Sequence, residues 1–458
     1  MKSRKRLWLI VAAALAAWCW LLYELQERYF EQRLSAKIAL YRGGSLRLED
    51  YLPPPLPAGT PDAWAAVEAA IQRLGWPPRG GLDFVSDPKF SPPAGLQEIR
   101  SVLDSRELTG QPLTAEDRAL LRDRLAPFSS ILADLEQPLR EIEEARFAGD
   151  YGGLAPEIRE WPNVVGVLQI AKLIRARGEL AVAEGRCADG ADDAAGSYRL
   201  AYWLASGSVP ITSSAGARRI AEEAGLLVQS LLEGCETDSS MRARIRTEAR
   251  RSDPARLITQ AIRAQRADTF SWVLRPESWI DRRDGKDGKK PNPWFVGAPG
   301  WKSWLFWNAE VLLEKYAESE AIYAQPACRR REAEARLDVL GIPRAAVVMK
   351  VLYSSSVEMY DARDRWLASL DLLDIALGLE DFHDQHGSYP ATLADAGLGL
   401  EQRIDPFSGK PYLYRREGSG YRLYSVWLNF IDDGGIRIAS NKGGVDRQLG
   451  DGLWRIGR

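Results

Sequence analysis

The N-terminus places a cluster of positive charge directly before a long uncharged segment. Four of the first six residues are Lys or Arg, and 7–23 then carries no charge until Glu24. As a helix, these 17 residues span roughly 26 Å, enough to cross the hydrocarbon core of a bilayer. Trp8 and Tyr23 lie near the two ends, where amphipathic rings prefer the interface. We predict a single transmembrane anchor over 7–23.

The basic segment 1–6 is predicted to stay cytoplasmic, because positive charge is retained on that side of a membrane. The remainder of the chain is then exported. A cleaved signal peptide is an alternative, since Ala14-Leu15-Ala16 has the small residues of a cleavage site. Cleavage there leaves a short apolar run and discards the aromatic end of the segment. A lipoprotein site at Cys19 is disfavoured by the preceding Trp18, and a buried soluble helix is the remaining alternative.

The composition fits a folded protein without a nucleic-acid partner. Hydrophobic residues make up 45% and charged residues 27% of the 458-residue chain, which argues against extensive disorder. The net charge of −2 offers no excess of basic residues for a polyanion.

Apolar residues recur at helical spacing through most of the chain. A continuation of the anchor helix is predicted over 24–41, followed by a Pro-rich linker or surface strap at 52–61, where five of ten residues are Pro. The exported helical domain is predicted to run over 62–387. Its helices are expected at 62–74, from Thr114 to Leu139, and at 163–186, 192–204, 216–232, 239–251, 254–274, 301–324 and 343–386, with loops at 75–95 and 281–291.

The helices at 163–186 and 192–204 resemble a tetratricopeptide-like hairpin. Small residues at Ala181, Ala183, Ala194 and Ala195 allow the two helices to approach closely. No second copy recurs at a fixed period, so the sequence does not establish a repeat array.

Cysteine usage leaves the redox state open. Cys19 lies in the predicted anchor, and Cys187, Cys235 and Cys328 show no metal-binding spacing. A disulfide between Cys187 and Cys235 is one interpretation, and free buried thiols are the favoured one.

The helical pattern ends at Gly387, after which Gly, Pro and alternating Tyr and Leu predominate. The segments 412–415 and 421–426 are strand-like and 416–420 is turn-like, which predicts a β-hairpin. A small β module is therefore predicted over 388–458. The fold class is mainly α, with a small C-terminal α+β module.

Several short motifs fall in this part of the chain. They are His386-Gly387-Ser388-Tyr389-Pro390, Leu393, Asp405-Pro406-Phe407-Ser408-Gly409-Lys410-Pro411-Tyr412-Leu413-Tyr414, Tyr421-Arg422-Leu423-Tyr424-Ser425-Val426 and Asp432-Asp433-Gly434-Gly435. With them, 358–435 resembles the soluble part of the major pseudopilin of type II secretion systems. The whole chain is similar to anchored bacterial envelope proteins, which implies a bacterial inner-membrane location. The processing site of a pilin, a Gly before Phe-Thr-Leu-Ile-Glu, is missing, which argues against assembly as a processed pilin.

The pseudopilin resemblance implies a calcium-binding loop. Its candidate ligands here are Asn429, Asp432, Asp433 and Asp451, whose oxygen atoms suit a hard cation. The segment 427–431 departs from the family's acidic, Gly-rich pattern, and a solvated turn is the alternative interpretation. No other cofactor is predicted.

No catalytic motif stands out. His383 and His386 are spaced for one helix face, but a helix C-terminus explains them more simply than zinc does. Adjacent carboxylates such as Glu143-Glu144 and Glu222-Glu223 diverge on a helix and are interpreted as solvated.

The sequence thus favours a non-enzymatic envelope protein that binds a protein partner through its helical domain. An accessory component of a type II secretion or pilus-like apparatus and an exported hydrolase without a recognisable motif are the two alternatives.

Overall fold

A computed structural model describes most of the chain, and all structural statements below concern those residues. They are 2–42, 44–80, 93–147, 161–208, 211–274, 301–336, 347–397, 399, 402–439, 445–450 and 452–457. Side chains of 2–13 lie outside the description, as does the predicted polar loop 281–291. The described part is mostly helical with small antiparallel sheets near its C-terminus, as the sequence predicts.

The helices are α1 (Lys2–Leu40), α2 (Trp64–Arg73), α3 (Leu96–Thr109), α4 (Ala115–Leu125), α5 (Ser129–Glu141), α6 (Val164–Ala183), α7 (Cys187–Ser206), α8 (Ile211–Gly234), α9 (Ser239–Arg251), α10 (Pro254–Leu274), α11 (Trp301–Tyr323), α12 (Ala327–Arg336) and α13 (Val347–His386). The strands are β1 (Arg79–Gly80), β2 (Trp161–Pro162), β3 (Leu413–Glu417), β4 (Gly420–Ser425), β5 (Arg437–Ala439), β6 (Val445–Gly450) and β7 (Gly452–Ile456).

Helix α1 runs through 7–23 and ends at Leu40, so the helix predicted over 24–41 is present up to that residue. The later part of α1 packs against α11, and Leu34 is buried there with Leu312 and Tyr316. A search of the described helices finds none whose length and apolar character meet the requirements for crossing a membrane. Part of the predicted span 7–23 lies among the residues whose side chains are not described.

Helices α6, α7 and α8 form the centre of the core. The hairpin of α6 and α7 is confirmed, and α8 packs against both helices. Asn163 begins α6 by accepting a hydrogen bond from the Gly166 N–H at 2.9 Å. Gly178 permits the close approach of α6 to α8, because a Cβ at this position would lie 2.5 Å from Leu227 Cδ2. The relation to tetratricopeptide repeats stays a prediction.

The helix prediction was wrong at two places in the N-terminal half of the helical domain. Helix α3 was missed, although Leu96, Ile99 and Leu103 show helical spacing and are buried. Its N-cap is Gly95, which offers no side-chain cap, so the usual start signal is missing. The single long helix predicted from Thr114 is divided at 126–128 by a short 3₁₀ turn containing Pro127, although the capping box at Thr114 is present.

Charge pairs attach α13 to α9. Arg242 lies 2.8 Å from Asp381, and Arg250 lies 3.0 Å from Asp374. Because the two arginines are eight positions apart on one helix, they fall on the same face, and the two aspartates are seven positions apart on the other. The ladder of opposite charges fixes the helix that leads into the C-terminal module.

The C-terminal module follows a turn that the sequence predicts. Gly387 adopts φ +71° and ends α13, and the predicted hairpin is present as β3 and β4. Strand β7 adds to the other edge of β4, while β5 pairs with β6. Buried Asp405 holds the turn before β3 by accepting hydrogen bonds from the Phe407 N–H and the Ser425 hydroxyl.

The hydrophobic core continues from the helical domain into this module. Trp454 of β7 is buried against α8, where a Cβ on Gly225 would lie 3.5 Å from its ring. One apolar cluster joins residues as distant in sequence as Ala63 and Ile456. The change in sequence pattern near residue 387 is therefore not a break in packing.

Cys187 and Cys235 form a disulfide that ties the start of α7 to the end of α8, with Cα atoms 5.9 Å apart. The favoured interpretation, that both were free thiols, was wrong. The weaker alternative was correct because the α7–α8 packing brings these distant positions together. Cys19 and Cys328 are free.

We expect Cys187→Ser to reduce the free energy of unfolding by about 2–4 kcal/mol, because the unfolded chain gains conformational freedom. Chemical denaturation of the oxidised protein measures this loss. Cys328→Ser is the matched control, since it removes a thiol that makes no disulfide. Equal stability of the two variants would contradict the role of the disulfide.

Candidate binding cleft

An open cleft of about 650 Å³ lies between the helical domain and the C-terminal module. Its walls come from the end of α3 and the turn after it, from α6 and α8, and from residues around β4, β5 and β7. We call it the junction cleft and define it by these lining residues: Arg106, Glu107, Leu108, Thr109, Gly110, Gln111, Pro112, Leu113, Glu179, Val182, Ala183, Gln229, Ser230, Glu233, Gly234, Arg422, Gly435, Ile436, Arg437 and Gly457.

Beneath the junction cleft lies a buried group of opposite charges. Arg175 of α6 donates to a Glu223 carboxylate oxygen at 2.5 Å, and Arg219 lies 2.7 Å from the other oxygen. Arg175 is 2% exposed and Glu223 is 3% exposed. Burial opposes the ionisation of Glu223, but Arg219 and Arg175 outweigh it and hold its pKa below the usual value. The carboxylate is therefore ionised and held in place at neutral pH.

A second set of ion pairs connects this buried charge group with the wall of the junction cleft. Arg106 of α3 donates to Glu179 at 2.7 Å and lies 3.5 Å from Glu233. Ser230 donates to the other oxygen of Glu179 at 2.9 Å. Glu179 also lies 3.6 Å from Arg175, so the residues of the cleft wall and the buried charge group form one network of ion pairs. The network fixes α3 against α6 and α8.

Arg437 brings the C-terminal module into this network. Its guanidinium donates to the backbone oxygen of Glu107 at 2.5 Å and to the side-chain oxygen of Gln229 at 3.0 Å. Both acceptors are uncharged groups of the helical domain. Burial lowers the pKa of Arg437, and the nearby Glu107 opposes that shift. The side chain thereby fixes β5 as one wall of the junction cleft.

Helical periodicity explains how the local sequence builds the network. Arg175 and Glu179 are four positions apart on α6, and Arg219 and Glu223 are four positions apart on α8, so each pair shares a face. The α6 pair faces Arg106 of α3, and Glu223 of the α8 pair faces α6. The interpretation of Glu222-Glu223 as solvated was wrong for Glu223, because tertiary packing covers it.

The predicted calcium ligands that the structure describes make hydrogen bonds to neighbouring residues. Asn429 donates to Asp433 at 2.6 Å, and Asp432 accepts from Tyr424 at 3.0 Å and from the Gly434 N–H at 2.9 Å. Such Asx bonding is typical of a solvated turn. Within the described residues, no group of three or more His, Cys, Asp or Glu is placed to hold a metal ion. Asp451 lies outside the described residues, so calcium binding stays a prediction.

The two histidines pack against different aromatic residues. His386 stacks on Phe382 at 4.0 Å between ring centroids, and its Nδ1 lies 2.9 Å from the Phe382 carbonyl oxygen. His383 packs against Tyr389 at 4.5 Å. The geometry agrees with the simpler interpretation of these residues as part of a helix end.

Comparison of the chain with protein-family models, with curated proteins and with solved structures finds no match. The resemblance of 358–435 to the major pseudopilin therefore stays a prediction.

We expect Glu223→Gln to lower the free energy of unfolding by about 3–5 kcal/mol, because it leaves buried arginines without their compensating charge. Glu184→Gln is the control. Glu184 pairs with Arg122 and Arg186 at the surface, where loss of an ion pair costs about 0–1 kcal/mol. Denaturant titration at neutral pH compares the two variants.

The wild type and the Glu223→Gln variant also give a test of pH dependence. Because the folded-state pKa of Glu223 is lowered, its stabilising contribution is present above about pH 4.5 and is lost as the pH falls through the folded-state pKa. The stability difference between wild type and Glu223→Gln should therefore shrink in acid. A difference that stays constant down to acid pH would contradict an ionised Glu223.

Proposed function

We propose that this chain is a membrane-anchored, extracytoplasmic interaction protein that binds an extended segment of a protein partner in the junction cleft. The anchor is 7–23, with 1–6 in the cytoplasm of a bacterial cell. The observation that carries the binding part is the open cleft, whose wall includes the exposed Ile436 and Arg437 of β5.

The exposure of α1 supports the anchor. Every residue from 14 to 22 is exposed, including Leu15 and Trp18 at 60% each, and Tyr23 is the first half-buried residue after them. A contiguous apolar surface of this kind is typical of a site that contacts lipid or protein. Its boundary at Tyr23 coincides with the end of the segment that the sequence predicts to span the membrane.

The disulfide between Cys187 and Cys235 supports export of the domain. Structural disulfides persist in oxidising compartments and are rare in the bacterial cytosol. This argument is independent of the hydrophobicity of the N-terminus.

The junction cleft supports an extended polypeptide as the ligand. The cleft is open, and Arg437 of β5 lines it together with the 55%-exposed Ile436. An open groove bordered by a strand suits an extended polypeptide, whose sequence the neighbouring side chains select. The lining holds both arginines and glutamates, which favours a partner segment with both signs of charge.

The carboxylates of the cleft favour binding over hydrolysis. Glu179 and Glu223 are both held by arginines, which occupies the oxygen atoms that an acid–base catalyst needs. Glu233 is the carboxylate of the cleft lining whose ionisation favours the exported hydrolase, since burial raises its pKa although Gln229 and Arg106 oppose the shift. Its contact with Arg106 places it in the same structural network.

We expect a reporter enzyme that needs disulfide formation to be active when it is fused after residue 60, because the positive charge of 1–6 keeps the other end in the cytoplasm. Fusion after residue 6 is the control and should be inactive. Activity of a strictly cytoplasmic reporter after residue 60 would refute the proposed orientation.

We expect a photo-crosslinking amino acid at Gln111 to capture a discrete partner in intact cells, because Gln111 is exposed and lies at the cleft edge. The same amino acid at Gln137, an exposed position on α5 outside the cleft, should give no such adduct. Gel electrophoresis and mass spectrometry identify the adduct.

A variant in which a larger side chain fills the junction cleft is the second part of this test. Ala183→Trp places a large ring in the cleft wall, and the Gln111 adduct should be lost while folding is retained by circular dichroism. An adduct that is equally strong at Gln137, or that survives Ala183→Trp, would contradict binding in the junction cleft.

A further inference from the structure

We propose that the first two turns of α11 make a second contact with the membrane, in the lipid headgroup layer beside the anchor. The half-buried aromatic residues Trp304, Phe306 and Trp307 carry this contact. The inference rests on the proposed anchor, and it adds a surface that fixes the height and tilt of the exported domain.

Ion pairs set the register between α1 and α11. Lys302 lies 3.6 Å from Glu27, and Arg33 lies 2.8 Å from Glu310. Lys37 lies 3.0 Å from Glu310 as well. Residue numbers rise together along the two helices, so they run parallel. Helix α11 therefore begins beside the part of α1 that follows the predicted span.

The register gives the height of the aromatic residues. The pairs Arg33–Glu310 and Lys302–Glu27 have sequence offsets of 277 and 275, which place Trp304 level with 27–29 of α1 and Trp307 level with 30–32. Measured from Tyr23, these levels are roughly 6–9 Å and 10–14 Å along α1 at 1.5 Å per residue. The headgroup layer outside the hydrocarbon core is about 5–8 Å thick on each side. Lys302 and Trp304 thus lie at this layer, and Trp307 lies at its outer edge.

The chemistry of the surface at this level suits a lipid interface. Trp304, Phe306 and Trp307 are partly exposed, and α1 adds the exposed Leu25 and Tyr29. Amphipathic aromatic rings favour the zone between hydrocarbon and water. Exposed Lys302 lies among them, and a lysine at such a site can reach lipid phosphate.

The exposure pattern of α1 supports lipid as the occupant rather than a second protein. Past the exposed residues 14–22, α1 still exposes the apolar Leu25 and Tyr29, and α11 begins beside this stretch. A bilayer that surrounds the first part of this surface necessarily comes close to the second. Because a lone helix can tilt freely, a second contact would hold the domain in one orientation.

Fluorescence quenching in vesicles tests this inference on the full-length protein. The free thiols are first removed by Cys19→Ser and Cys328→Ser, and an environment-sensitive dye is attached through Leu15→Cys, Lys302→Cys or Glu318→Cys, one at a time. Lys302 and Glu318 are exposed charged residues of the same helix and form a matched pair, with side-chain exposures of 58% and 49%. The vesicles contain phosphatidylethanolamine and phosphatidylglycerol, with a nitroxide either at the headgroup or near the end of the acyl chain.

We expect the dye at Leu15 to lose fluorescence with the deep nitroxide and the dye at Lys302 to lose it with the headgroup nitroxide. The dye at Glu318 should keep its fluorescence with both, because it is roughly 24 Å farther along α11 at 1.5 Å per residue. Phe306→Cys gives a second measurement about one turn farther along α11. Circular dichroism checks the fold of each variant.

The outcomes separate the inference from the proposal on which it rests. Deep quenching at Leu15 without quenching at Lys302 and Phe306 would overturn the second contact and leave the anchor intact. Absence of quenching at Leu15 would overturn the anchor and the inference together. Quenching of Lys302 by the deep nitroxide alone would overturn the height that the helix register assigns.

Discussion

The packing of this protein depends on burying Arg175 and Glu223 as a pair. Moving either charge out of water alone costs several kcal/mol, and a direct ion pair with further hydrogen bonds is needed to offset that cost. Here Arg219 supplies a second cation to Glu223, and Glu179 supplies a second carboxylate to Arg175. The helices α3, α6 and α8 therefore have one arrangement in which these charges are satisfied. The junction cleft is the solvent-facing end of that arrangement.

The network also explains why the cleft belongs to two parts of the chain. Arg437 of β5 reaches the end of α3, and Trp454 of β7 is buried against α8. Polar and apolar contacts thus act on the same junction. A cleft formed in this way is stiff along its helical wall, where buried charges are paired. It is bordered on the other side by the short strand β5.

Much of the fold could be predicted because local sequence patterns indicate most of the helices and the hairpin. Periodic apolar residues gave α6 to α11, and the turn at Asp405-Pro406 gave the hairpin that follows. Helix α3 could not be found from a capping residue, since it begins after Gly95. The site was harder to predict than the fold. Arg106, Glu179 and Arg437 are distant in sequence, each resembles an ordinary surface residue, and only packing brings them together. The predicted oxygen ligands at Asn429 and Asp432, by contrast, make bonds to their own loop.

The continuous core between the two ends of the chain has a consequence for biogenesis. Synthesis from the N-terminus makes α3 and α6 long before β5 and β7. Until those strands are made, the Glu107 carbonyl and the face of α8 around Gly225 lack contacts that they have in the folded protein. The helical domain therefore stays incomplete at this junction until late in synthesis. Completion of the junction cleft requires residues as late as Gly457.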